Sequence, residues 1–260
     1  MKEQLQELYN FRELLVMIAA RDIKVRYKQS VMGFFWAVLM PALIVASGVL
    51  VRYGYSIAAH KPLDVVDLIS VATKSVPWAF LVSAIKFSSQ SLIGNQNLVT
   101  KIYFPKEIFP LASVLSQLFD LLIASSVLLL LFVVTRFGLN LQLFWALPLL
   151  AIMILLAIGI GLLVSAGSLF FRDVKYIVEV FLTFAIFFTP VFYDVKMFGD
   201  KGWWLLLNPA APILEGFSSI VRSQRPDWHW LFYSSSFAIL TLVLSYRLFK
   251  KVEPEFAQSI

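Results

Sequence analysis

Apolar residues in this chain come in runs far longer than an amphipathic helix of a soluble domain would need. Val31–Leu50 contains no charged residue, and Ile108–Val134 contains one, Asp120. Between Arg136 and Arg172 there is no Asp, Glu, Lys or Arg, which leaves room for a long segment over Trp145–Phe170. Ile177–Tyr193 is shorter and carries Glu179, and Trp228–Tyr246 closes the series. Val65–Ser91 is interrupted by Asp67, Lys74, Pro77 and Lys86 but keeps an apolar middle. A bilayer-crossing helix needs about 20 mostly apolar residues at about 1.5 Å of rise each. The pattern predicts an all-α integral membrane protein with six transmembrane helices: residues 1–30 form a cytoplasmic amphipathic leader and residues 31–260 the transmembrane domain.

The segments between the runs have patterns of their own. In Met1–Ser30, Leu5, Leu8, Phe11, Leu15 and Ile18 recur every three or four residues among Lys2, Glu3, Glu7, Arg12 and Glu13, which predicts an amphipathic interface helix. Asn95–Pro105 packs Leu98, Val99, Ile102, Tyr103 and Phe104 into one loop. Such a cluster either lies among lipid headgroups or presents an apolar face to a partner protein. Asp194–Asp227 holds two apolar stretches, each too short to span, broken at Asn208, Pro209 and Pro212. They read as a re-entrant hairpin or as a pair of interfacial helices with Trp203 and Trp204 at the boundary.

Composition agrees with a lipid solvent. Of the 260 residues, 60% are hydrophobic and 15% charged, with a mean hydropathy of +0.81. Soluble domains carry about 25% charged residues. With both termini inside, inside segments hold 13 Lys and Arg against 7 outside, which favours cytoplasmic termini. Cysteine is absent, so disulfides and thiolate chemistry are excluded. His60 and His229 are far apart, and no Gly precedes a Lys, so neither a metal cluster nor a phosphate-cradling loop is offered. Any energy for uphill transport therefore comes from another subunit or an ion gradient, and the scarcity of intramembrane carboxylates favours the subunit.

Several residues invite a functional reading beside a plainer one. The cations Arg21, Lys24, Arg26 and Lys28 either anchor the chain to anionic lipid or meet a phosphate-bearing substrate. Phe181, Phe184, Phe188 and Phe192 fall at helical spacing; the stripe faces lipid, packs, or offers flat faces to passing sugar rings in a pore. Asp120 needs a partner or a wet cavity, with Lys74 and Lys86 as candidates. Ala157, Gly161 and Ser165 recur every four residues, which permits close helix approach. Gly159 and Gly161 begin a dinucleotide-like spacing, but Val164 holds the third glycine position.

The run Arg21-Asp22-Ile23-Lys24-Val25-Arg26-Tyr27-Lys28-Gln29-Ser30, followed by Gly33, Trp36 and Pro41, resembles the opening motif of ABC-transporter export permeases for cell-surface polysaccharides. Asn97-Leu98-Val99 with Lys101, Phe104 and Pro105, then Phe171–Val174, then Asn208, Pro209 and Pro212, fall where that family has its other motifs. Within it the chain looks like the O-antigen exporter permeases, with teichoic-acid and capsule exporters as siblings. The resemblance implies a homodimer in a bacterial inner membrane, driven by two cytoplasmic ATP-binding subunits. ATP and magnesium would sit on those partners, and this chain would bind no cofactor or nucleic acid and be no enzyme. It implies a coupling helix near 95–105, carried by Asn97, Leu98, Val99, Lys101, Ile102, Phe104 and Pro105. It also implies a periplasmic gate near 194–225 at Asn208, Pro209 and Pro212. The cargo would be a polysaccharide on an undecaprenyl-pyrophosphate carrier, met at Arg21, Lys24, Arg26 and Lys28. A permease for a drug or small lipid, or an ion-coupled transporter, are the rival expectations.

Overall fold

The computed structural model describes residues 2–28, 35–60, 64–135 and 141–258. The expected start of the first span at Val31, Gly33 of the opening motif, Lys61 and Arg136 lie outside these residues. The chain is all-α: α1 (Lys2–Asn10), α2 (Arg12–Lys28), α3 (Phe35–Ala59), α4 (Val65–Ser91), α5 (Gln96–Lys101), α6 (Ile108–Val134), α7 (Ala146–Phe170), α8 (Val174–Ala185), α9 (Ala210–Val221) and α10 (Trp228–Val252). Among the described residues five helical stretches are long and apolar enough to cross a bilayer: Val38–Ala58, Val65–Ser91, Ile108–Val134, Leu141–Phe170 and Trp228–Phe256.

The expected span over Ile177–Tyr193 takes a different form. Its helix, α8, begins at Val174 and ends at Ala185, and turns follow. Pro190 accounts for the early stop, because a proline excludes the preceding residue from helical backbone and has no N–H to continue the ladder. The stretch of 3-10 turns over Val195–Leu207 also replaces an expected α-helix, and it breaks at Gly199, whose φ of 56° suits a residue without Cβ. The leader is two helices separated at Phe11 rather than one.

The most deeply buried span lies at the centre. α4 packs against α3, α6, α7, α8 and α9, and 78% of its most apolar window is buried inside the protein. Its Lys74, Ser70, Ser75 and Ser88 all face protein, whereas Lys86 stays exposed towards its end and meets Glu179. Thr73 and Ser75 donate to the carbonyls of Ile69 and Val71, one turn back, just before Pro77 interrupts the ladder.

A second cluster joins the two ends of the chain. Ile18 and Ala19 of α2, Val99 and Phe104, Ile108 and Phe109, and Phe249 and Phe256 are buried together, with Leu8, Phe11 and Leu15 against them. Leu8, Phe11, Leu15 and Ile18 of the leader's stripe are thus spent on protein contact. It also places the N-terminal helices, α5 and the C-terminal residues at one end of the bundle.

Close approach between α7 and α10 depends on Gly159, where a Cβ would lie 2.9 Å from the backbone nitrogen of Leu242. Gly161 faces α4, where a Cβ would meet the Ser88 hydroxyl at 2.9 Å. Gly159→Val is expected to force the α7 and α10 backbones apart at a cost of about 1–3 kcal/mol. Heat denaturation of the purified protein checks this, with Gly54→Ala, inside α3 and in open space, as the contrasting variant that is not destabilised.

Candidate functional site

The four leader cations do not form one patch. Arg21 is tied to Asp22 and to the side-chain oxygen of Asn95 at 2.8 Å, which links α2 to the segment just before α5. Arg26 turns into the bundle, pairs with Asp120 on α6, and stacks over the Phe87 ring with its guanidinium carbon 4.3 Å from the centroid. Tyr27 also donates to Asp120; burial, reinforced by that carboxylate, pushes its phenol up to about 12, so the proton stays. Lys24 and Lys28 remain exposed. The partner of the intramembrane acid is therefore Arg26, and neither Lys74 nor Lys86 meets it. Lys86 pairs with Glu179.

The apolar loop after α4 divides its side chains between two directions. The helix α5 covers Gln96–Lys101, shorter than the expected apolar cluster, with Ile102 already extended. Val99, Phe104 and Pro105 are buried and Leu98 is half-buried, while Asn97, Lys101, Ile102 and Tyr103 are exposed. Phe104 makes an edge contact with Phe109 at 5.4 Å between centroids, and the Lys106 ammonium lies over its other side at 4.3 Å. Phe104 is thus a packing residue; the apolar surface on offer is Ile102 and Tyr103, the latter 91% exposed.

Of the phenylalanine stripe, Phe181, Phe184 and Phe188 line one cavity of about 760 Å³ together with Trp78, Asn208 and Pro209. Phe192 follows Pro190, loses the helical register, and packs beside Gly48 of α3 instead. Asn208 holds this corner: its side-chain nitrogen donates to the Thr189 hydroxyl at 2.9 Å, and its oxygen accepts from the Ala210 N–H at 3.1 Å. Pro212 sits within α9, buried, and does not line the cavity. A second groove of about 540 Å³ lies on the other side of α8, with Arg26, Tyr27, Gln117 and Asp120 among its polar walls and Trp36, Met40 and Ile44 of α3 among its apolar ones. Trp78 and Leu182 wall both.

Sequence reasoning missed an ion cluster at the opposite end from the termini. Lys74, fully buried, donates to Asp194 at 2.8 Å, to the Tyr193 carbonyl at 2.7 Å and, at 3.5 Å, to Glu215. Arg52 reaches Asp194 at 2.5 Å, and Arg222 bridges Asp67 at 2.6 Å and Asp194 at 3.0 Å. Three cations and three carboxylates thus bind α3, α4, the turn before Val195 and α9 into one neutral unit. Burial alone would push the Asp194 carboxyl up, but the charges of Lys74 and Arg52 overrule it and hold it well below the usual carboxylate range. Glu215, with Asp194 as a like-charged neighbour, is pushed up by burial. The available signal was Lys74 and Glu215 standing as charges inside mainly apolar stretches. Among the described residues no group of three or more His, Asp or Glu is placed to hold a metal ion.

Residues 13–221 match the profile of the ABC-2 type transporter family. The O-antigen export system permease protein RfbA of Klebsiella pneumoniae is 27% identical over 248 residues, covering 95% of this chain and 94% of that protein. A second Klebsiella pneumoniae protein of the same name is also 27% identical, over 250 residues. That of Myxococcus xanthus is 25% identical over 263 residues, covering 98% of each.

Asp194→Asn removes the charge that both Arg52 and Lys74 rely on, and is expected to cost about 3–5 kcal/mol. Because the folded carboxyl lies below its unfolded value, this contribution is complete above the unfolded value and is lost as pH falls towards the folded one. The melting-temperature gap between the parent protein and the variant is therefore constant from about pH 8 to about pH 5 and closes only in stronger acid.

Proposed function

The chain belongs to the ABC-2 type transporter family, and from that membership we propose that it is the membrane permease of an ATP-driven polysaccharide exporter. The observation that carries the polysaccharide reading is its end-to-end likeness to O-antigen export permeases. In this reading the end of the bundle that gathers both termini faces the cytoplasm of a bacterial inner membrane, in keeping with its richer complement of Lys and Arg. Two copies form the channel, and two separate ATP-binding subunits dock beneath it and carry out the hydrolysis. This chain makes and breaks no covalent bond.

Each part of the site has a task in that scheme. α5 is the coupling helix, and Asn97, Lys101, Ile102 and Tyr103 are the groups that enter a cleft of the ATPase; Val99 and Phe104 hold the helix to the bundle from behind. The carrier's pyrophosphate is met first by Lys24 and Lys28, whose charges are unspent at the surface, whereas Arg21 and Arg26 are already engaged. Charge-assisted bonds to phosphate oxygens need such available donors. Phe181, Phe184, Phe188 and Trp78 supply flat apolar faces along the glycan path, which let sugar rings pass without a deep binding minimum. Asn208 and Pro209 border the same cavity and form the periplasmic gate at the start of α9.

The decisive experiment reconstitutes the chain with its ATPase in sealed vesicles and follows a lipid-linked glycan. Export that needs ATP is expected; export without any nucleotide overturns the proposal, and movement of a small lipid but no glycan favours the sibling reading. Tyr103→Glu together with Ile102→Glu should weaken ATPase association by at least tenfold, about 1.4 kcal/mol, while leaving the permease inserted. Val99→Ala should instead lower its stability by about 1 kcal/mol or more. Phe184→Ala and Phe188→Ala, both at exposed side chains, should slow glycan passage with little loss of folded yield.

A further inference from the structure

The residues that follow α10 do not leave the bundle. A 3-10 turn over Glu253–Gln258 folds back against α5. Glu253 uses both carboxylate oxygens there: one accepts the backbone N–H of Lys106 at 2.8 Å, the other the Lys250 ammonium at 2.9 Å. Lys250 also donates to Glu107 at 2.8 Å. Glu107, at the residue preceding α6, is fully buried, and burial pushes its carboxyl up although Lys250 opposes this. Phe256, 1% exposed, lies between Phe249 of α10 at 5.2 Å and Phe170 of α7 at 5.8 Å.

These contacts converge on the short connection between α5 and α6. A six-residue helix is too short to hold its shape by its own hydrogen bonds, so its position is set by what it packs on. The Glu253 carboxylate grips the backbone at the end of the connection, and the Phe256 ring fixes the turn to α7 and α10. We propose that the C-terminal turn is a brace that makes α5 rigid with the ends of α6, α7 and α10, with Glu107, Lys250, Glu253 and Phe256 as positioning residues for force transfer. The proposal rests on the reading of α5 as the coupling helix. A push on α5 then moves three spans together, where an unbraced helix would yield and dissipate it.

Hydrogen exchange on the purified full chain tests the brace without any ATPase. Phe256→Ala and Glu253→Gln are expected to speed exchange of the Gln96–Lys101 amides about tenfold while the α4 amides keep their protection. Phe256→Leu, which refills the space between the two rings, should restore the parent rate. Unchanged exchange at Gln96–Lys101 in Phe256→Ala overturns the brace. In the reconstituted complex, Phe256→Ala should lower glycan exported per ATP several-fold while the ATPase still co-purifies, and Phe256→Leu should recover it. An undiminished ratio in the assembled complex removes the force-transfer role. Retention of the ATPase by the Tyr103→Glu, Ile102→Glu protein would instead count against the coupling-helix reading, leaving the exchange result to judge the brace.

Discussion

Lys74, Asp120 and Glu107 sit where water is scarce, and an isolated ion at such a depth costs several kcal/mol. Each is tolerated because a partner arrives from an element distant in the chain: Asp194 for Lys74, Arg26 for Asp120, Lys250 for Glu107. That requirement organises the molecule. The leader is tied to α6, the far-end turn and α9 are tied to α3 and α4, and the last span is tied to the start of α6. Apolar packing alone discriminates poorly between helix arrangements in lipid, since tails are as apolar as leucine. Paired charges are specific about which helix faces which, and their loss leaves an uncompensated ion.

The same logic explains why α4, interrupted by Asp67, Lys74, Pro77 and Lys86, occupies the middle. A helix that carries Lys74 and several serines must spend those groups on protein, so it is surrounded on most sides. The far less buried α3 and α6 are left to face outward. α8 is the exception among the apolar segments. Stopped by Pro190 after twelve residues, it separates two cavities without sealing either. A cavity lined by aromatic rings lies on one side, and a groove with a charged cluster in its wall on the other.

Much of this was legible in the residues. Long uncharged runs need no tertiary information to be read as spans, because the bilayer imposes length and apolarity directly. The leader's stripe, the loop of apolar residues before Phe104 and the break at Asn208 and Pro209 were equally visible. Less legible was how far each pattern would be used. Phe192 shares the spacing of Phe181, Phe184 and Phe188, yet Pro190 takes it out of register. Val99 and Tyr103 lie four residues apart in one apolar loop, yet one is buried and the other almost wholly exposed.

The linear chain, then, decided what each segment is made for: crossing lipid, packing one apolar face, or turning at a proline. Hydropathy, helix length and proline geometry are local properties, and local properties are written in order. Tertiary structure alone decided the partners. Arg26 finds Asp120 across 94 positions and Lys74 finds Asp194 across 120, and pattern along the chain carries no record of such distances. Coulomb attraction and close packing act through space, so the choice among Lys74, Lys86 and Arg26 as the partner of Asp120 existed only once the helices had met.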